Sequence, residues 1–97
     1  MNKMRAIHPG EIIKQEYLEP LGMSVNSLAI ALRVPVYRMN DIVRQKRAIS
    51  VDTALRLGRY FNTTAQFWLN LQTSYDLKVA EGSKAIIQHE ITPLEIA

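Results

Sequence analysis

The 97-residue chain reads as an all-α domain, and three features of the sequence predict that class. Apolar residues recur at i, i+3, i+4 and i+7 in successive segments, the period of one buried helix face. Ser24, Ser50 and Thr64 stand directly before such segments, where a hydroxyl can cap free backbone N–H groups. Short breaks around Gly22, Arg33-Val34-Pro35 and Asn62-Thr63 separate the segments. Five helices are expected, the second and third forming a helix-turn-helix. The chain divides into an arm over 1–7, a helix-turn-helix domain over 8–81 and a tail over 82–97 that is a candidate dimerisation element.

Met1 to Ile7 is expected to be irregular, with Lys3 and Arg5 within reach of a phosphate only if the terminus is ordered. His8-Pro9-Gly10-Glu11 opens the first helix, because proline suits a first-turn position and Glu11 complements the dipole. That helix should end at Glu19, before Pro20, with Ile13, Tyr17 and either Leu18 or Leu21 inward. His8 has no partner at ligand spacing and reads as a cap or surface residue. Ser24 caps the second helix, whose inner face is Val25, Leu28, Ala29 and Leu32, with small Ala29 at the crossing. Val34 plugs the following turn, and Pro35 sits at or just before the third helix. That helix turns Val36, Met39, Ile42 and Val43 inward and Tyr37, Asn40, Asp41 and Arg44 outward.

Gln45 to Ile49 is a basic loop, and Ser50 caps a fourth helix with the stripe Val51, Ala54, Leu55, Gly58 and Phe61. Gly58 within it costs about 1 kcal/mol relative to alanine, which implies a closely packed neighbour. Thr64 caps a fifth helix with the stripe Trp68, Leu71, Tyr75 and Val79, Phe67 beside it. An aromatic stripe at helical spacing reads as core rather than cofactor pocket. Glu81-Gly82-Ser83 is expected to stop this helix. The tail is either a short strand, with Ile87, His89 and Ile91 on one side, or a further helical turn before Thr92-Pro93. Ile86, Ile87, Ile91, Leu94 and Ile96 call for an apolar partner, from this domain or a second copy.

An apolar fraction of 47% suffices for a small core, and no apolar run approaches a membrane span. Nothing resembles a signal peptide, and the lack of cysteine fits a reducing cytoplasm. With no cysteine, two isolated histidines and no Ser-His-acid set, neither an enzyme nor a metal or cofactor site is expected. Residues 33–59 carry a net charge of +5, and the remainder −2. A polyanion is the natural partner of that basic half, a solvated surface being the plain alternative.

The outer face of the third helix has the chemistry to read bases. Asn40 can pair bidentately with adenine, and Arg38 or Arg44 with guanine. Tyr37 can donate to a phosphate or pack on a thymine methyl. Asp41 accepts from a cytosine amino group or orients Arg38 or Arg44. Lys46 and Arg47 would grip phosphates and fix register. Asn26 and Ser27 lie near free N–H groups at the start of the second helix, where an anion is favoured. An ordinary helical hairpin would share the apolar stripes but not the polar face followed by a basic loop.

The motifs His8-Pro9-Gly10-Glu11, Leu28-Ala29-x-x-Leu32, Arg47-x-Ile49-Ser50, Ala54-Leu55-Arg56-Leu57 and Phe67-Trp68-Leu69-Asn70-Leu71-Gln72 resemble the HigA-type antitoxins. These are VapI-like members of the Xre, phage-repressor-like helix-turn-helix family. The resemblance spans Ile7 to Val79. It implies a five-helix repressor-like DNA-binding domain, a homodimer on operator DNA, and a HigB-type mRNA interferase as toxin partner, with repression of the operon encoding both. By position it implies base reading by Val36, Tyr37, Arg38, Asn40, Asp41 and Arg44, with Ser24 and Ser27 near phosphate. A solitary Xre-type regulator without a toxin, or an interaction module that has lost DNA binding, are the competing readings. The family usually has glycine where Arg33 stands, and arginine in a left-handed turn costs about 1 kcal/mol, which leaves open whether the turn keeps that shape or is reshaped. Pro35 also replaces the usual capping Ser or Thr.

Overall fold

The computed structural model describes residues 5–95, which form six helices and no strand. The first helix, α1, covers residues 9–21 and is not uniform. Pro9–Ile12 is α-helical, Ile13–Leu18 is π-helical and Glu19–Leu21 returns to α. The helix therefore does not stop before Pro20. A proline normally clashes with the carbonyl four residues back, and the wider π turn, closed by the Glu19 N–H on the Lys14 carbonyl, admits it. Leu18 rather than Leu21 joins Ile13 in the core.

Helices α2 (Val25–Leu32) and α3 (Val36–Val43) form the helix-turn-helix. Leu28, Ala29, Leu32, Met39 and Ile42 are buried, with Val25, Val36 and Val43 packed at the margin. Helices α4 (Val51–Phe61) and α5 (Ala65–Val79) pack side by side behind them. The caps fall where expected: Ser24, Ser50 and Thr64 accept from the N–H groups of Ser27, Thr53 and Phe67.

The stripes of α4 and α5 are rotated from the expected phase. In α4 the buried side is Thr53, Ala54, Leu57 and Gly58, whereas Val51 and Leu55 face solvent. Thr53 goes inside because its hydroxyl is satisfied by Ser50 at 3.2 Å, so its polarity is no obstacle to burial. In α5 the fully enclosed residues are Trp68 and Gln72, with Leu71 and Tyr75 half-buried and Val79 exposed. The Trp68 indole donates to Thr63 Oγ1 at 2.8 Å. Its ring meets Tyr17, Phe61 and Phe67 at centroid distances of 5.3, 6.3 and 5.0 Å. Gly58 answers to a close neighbour, because a Cβ there would lie 3.0 Å from the Ala65 nitrogen.

Four helices end alike. Gly22, Arg33, Gln45 and Asn62 adopt φ of 60–65°. The next residue's N–H then returns to a carbonyl five residues back: Met23 to Leu18, Val34 to Ala29, Lys46 to Asp41 and Thr63 to Gly58. This satisfies carbonyls that a helix end leaves free. The turn at Arg33 is thus not reshaped; arginine takes the left-handed conformation itself, at φ 61° and ψ 43°.

Glu81-Gly82-Ser83 does not end the helical chain. One residue, Ala80 (φ −85°, ψ 6°), interrupts it, and α6 continues over Glu81–Glu90. Of the two alternatives for the tail the helical one forms, lengthened to ten residues that end at Glu90, and residues 91–95 are irregular. No residue of α6 is buried. It projects from the domain and raises the radius of gyration to 16.7 Å, against about 12.5 Å for a compact chain of this length. Lys3 and Ile96 lie outside the described residues.

Candidate nucleic-acid interface

The site is built on α3, held from three sides. Beneath it, Met39 and Ile42 are wholly enclosed in the core. At its C-terminal end it meets α1 backbone to backbone: a Cβ on Gly10 would lie 1.8 Å from the Ile42 carbonyl oxygen. That approach starts with His8, whose buried Nδ1 accepts from the Gly10 N–H at 2.8 Å and so caps α1. His8 also meets the Tyr75 ring edge-on at 4.8 Å. Burial pushes its pKa below the usual 6.5, against smaller upward pulls from the Arg47 backbone and Asp76. Neutral His8 therefore ties α1 to α5. Arg5 closes the same end through a bidentate pair with Glu11, at 2.8 and 2.5 Å, which lowers the Glu11 pKa.

Behind the loop, Gln72 Oε1 accepts from the buried Ile49 N–H at 2.8 Å, while its amide nitrogen donates to Asp76. The loop between α3 and α4 is thereby pinned at its far end by one α5 side chain.

On the outer face, Tyr37 and Arg44 are exposed and Asn40 is half-exposed. The side chains of Asn40 and Arg44 make no hydrogen bond among the described residues. Val36 is half-buried against the core and offers only part of its surface. Arg44 stands at the C-cap, the far end of the helix. Ser24 and Ser27, whose hydroxyls are 3.1 Å apart, are exposed at the start of α2.

The helical spacing suggested that Asp41 pairs with Arg38 or Arg44, and it pairs with neither. Left-handed Gln45 turns the loop back over α3, and Arg47 Nη2 reaches Asp41 Oδ2 at 3.3 Å. The same guanidinium lies 5.7 Å from the Tyr37 ring centroid. Lys46 remains exposed. Arg38 instead donates to Asp52 Oδ2 at 2.9 Å, and Arg56 donates to the same oxygen at 3.0 Å. Arg56 also donates to the Leu32 carbonyl at 2.9 Å. The two guanidinium groups hold the Asp52 pKa below the usual carboxylate range, Arg56 first.

Gly10, Asp52, Arg56 and Gln72 did not stand out as parts of this surface in the sequence. A glycine directly after a first-turn proline, an i, i+4 acid–base pair and a glutamine inside an aromatic stripe are the signals that mark them.

No family model matches the chain. Virulence-associated protein I of Dichelobacter nodosus is 59% identical over 86 residues, covering 89% of this chain and 80% of that protein. A Pseudomonas aeruginosa protein solved in complex with its 18-bp operator DNA superposes with a TM-score of 0.88 at 53% identity, covering 94% of this chain and 99% of that one. The Pseudomonas aeruginosa antitoxin HigA, solved with the higBA promoter, superposes with a TM-score of 0.87 at 51% identity, covering 94% and 100%. These likenesses run through the helix-turn-helix and its supports, and the chain belongs to the HigA-type, VapI-like antitoxin family of helix-turn-helix proteins.

Proposed function

We propose that the protein is an operator-binding antitoxin whose helix-turn-helix domain, residues 8–81, lays α3 in the major groove. The observation that carries this reading is the division of α3 into a buried side, Met39 and Ile42, and an outer side on which Tyr37, Asn40 and Arg44 are presented. Asn40 and Arg44 read base edges, with Tyr37 and Asp41 on the same face and Val36 and Arg38 at its margins. Ser24, Ser27, Lys46 and Arg47 meet phosphates and set the register. The operator complexes of the relatives support the DNA partner. Family membership supports a HigB-type toxin as the second partner, and repression of the operon encoding both.

Asn40→Ala and Arg44→Ala are each expected to weaken operator binding by about 1–3 kcal/mol, roughly five- to 150-fold in Kd. Their melting temperatures should stay at the wild-type value. Unchanged operator affinity in both variants would remove α3 from the role of reader. For the toxin, growth arrest by a candidate toxin gene should be relieved on co-expression of this chain, and failure of relief would leave a solitary regulator.

The tail, residues 82–97, is the proposed seat of a homodimer. Ile86 and Ile87 lie on α6 and Ile91 directly after it. They are 59, 51 and 62% exposed, more apolar surface than a projecting segment leaves in water when it stands alone. Ile87→Asp should yield a monomer in sedimentation velocity, whereas a wild-type monomer would refute the assignment.

A further inference from the structure

Residues 33–59 hold seven basic and two acidic side chains, and both acids sit on an arginine at the reading surface. Asp41 holds Arg47, which belongs to the loop. Asp52 reaches from the first turn of α4 to a residue of the recognition helix itself, Arg38. Among the described residues only Asp52 Oδ2 is used, shared at 2.9 and 3.0 Å by Arg38 and Arg56. Arg56 is in turn anchored on the Leu32 carbonyl, at the C-terminal end of α2. The carboxylate is therefore held from behind by Arg56 and faces Arg38 from a fixed position.

These side chains are substantially exposed, so the pair adds little to folding. Its effect lies in where the Arg38 charge can go. A free arginine beside a duplex takes a phosphate on any sequence, which raises affinity for all DNA alike. Held on Asp52, Arg38 has its charge compensated and its reach limited.

We infer that Asp52, outside the recognition helix, is a specificity-determining residue: by pairing with Arg38 it withholds that cation from indiscriminate phosphate contact and leaves base contacts to decide binding. The inference rests on the DNA-reading function proposed above. Asp52 acts through Arg38 and is a positioning residue.

The test uses the full chain with two probes: the tightest duplex it selects from a randomised pool, and a scrambled duplex of the same composition. Asp52→Asn should tighten binding to the scrambled duplex about fivefold and steepen its log Kd–log salt slope by about 0.9, the signature of one added phosphate contact. Binding to the selected duplex should change less, so the ratio of affinities falls. Adding Arg38→Ala to Asp52→Asn should return the scrambled-duplex affinity and slope to their starting values, and Asp52→Glu should keep the ratio. An unchanged ratio and slope in Asp52→Asn would overturn the role. So would a change that persists without Arg38, or a parallel loss on both duplexes with a lower Tm, which marks a merely structural residue. Wild-type protein with no salt-sensitive binding to either duplex would overturn the DNA-reading function itself, a result distinct from these.

Discussion

Replacing Gly10 by alanine tests whether α1 sets the position of the recognition helix. The added Cβ would lie 1.8 Å from the Ile42 carbonyl oxygen, 2.8 Å from its carbon and 3.0 Å from the Val43 Cα. All three are backbone atoms, so no rotamer change relieves the clash. An ordinary carbon–oxygen contact is about 3.3 Å, so α1 and the end of α3 would have to separate by about 1.5 Å. Overpacking of this kind costs about 1–3 kcal/mol, and the rigidity of the contact puts Gly10→Ala at the upper end. For a domain of this size, about 3 kcal/mol lowers Tm by roughly 12–24 °C. Thermal unfolding followed by circular dichroism measures this directly. At a temperature where the variant is still folded, operator affinity should also fall, because base-edge hydrogen bonds tolerate only a few tenths of an ångström. Gly82→Ala serves as the comparison: it meets nothing within 4 Å and lies in exposed helix, so it should be neutral or stabilising by about 0.5–1 kcal/mol. A Gly10→Ala midpoint within about 2 °C of wild type would refute the close approach and the positioning drawn from it.

Arg33→Gly should raise stability by about 1 kcal/mol by relieving the left-handed arginine, read as a higher denaturation midpoint; a decrease would show that the side chain earns its place in the fold. Gln72→Ala leaves the Ile49 N–H without its acceptor, at a cost of about 1–3 kcal/mol. Hydrogen exchange at that amide should accelerate more than at the α2 core, and equal protection would count against the pin. His8 gives a pH dependence of definite sign. Its pKa is lowered in the fold, so the unfolded chain takes up the proton first as pH falls through 6.5. His8's share of stability is intact above that pH and is lost as pH falls toward the folded-state value. Tm measured across that range should drop on acidification, and His8→Gln should flatten the profile.

The helix-turn-helix was legible because both its helices bury one apolar face and begin at recognisable positions. The capping serines and Thr64 were legible for the same reason: their chemistry is local. What was hidden depended on partners distant in sequence. Val51 and Leu55 are apolar yet exposed, and Thr53 and Gln72 are polar yet buried, because burial follows hydrogen-bond satisfaction as well as hydrophobicity. Pro20 read as a stop because the π turn that accommodates it leaves no mark in composition. Gly82 read as a stop too, although the actual break falls at Ala80. The partner of Asp41 was misassigned because the backward turn at Gln45 brings a loop arginine closer than either helical neighbour. For the outer face of α3, residue types conveyed the chemistry, but only the fold shows that Arg38 and Arg47 are already engaged.

The break at Ala80 has a geometric consequence for the choice of binding site. With α6 as the seat of a second copy, the angle at this residue sets how far apart two reading helices stand. A ten-residue helix is about 15 Å long, so a tilt of about 6.5° at its base in each of two copies changes the spacing by about 3.4 Å. That is one base-pair step of duplex DNA. Under the proposed dimer, half-site separation would be tuned by the backbone torsions of Ala80. A chain with the same reading residues and a straighter junction would favour an operator of different length.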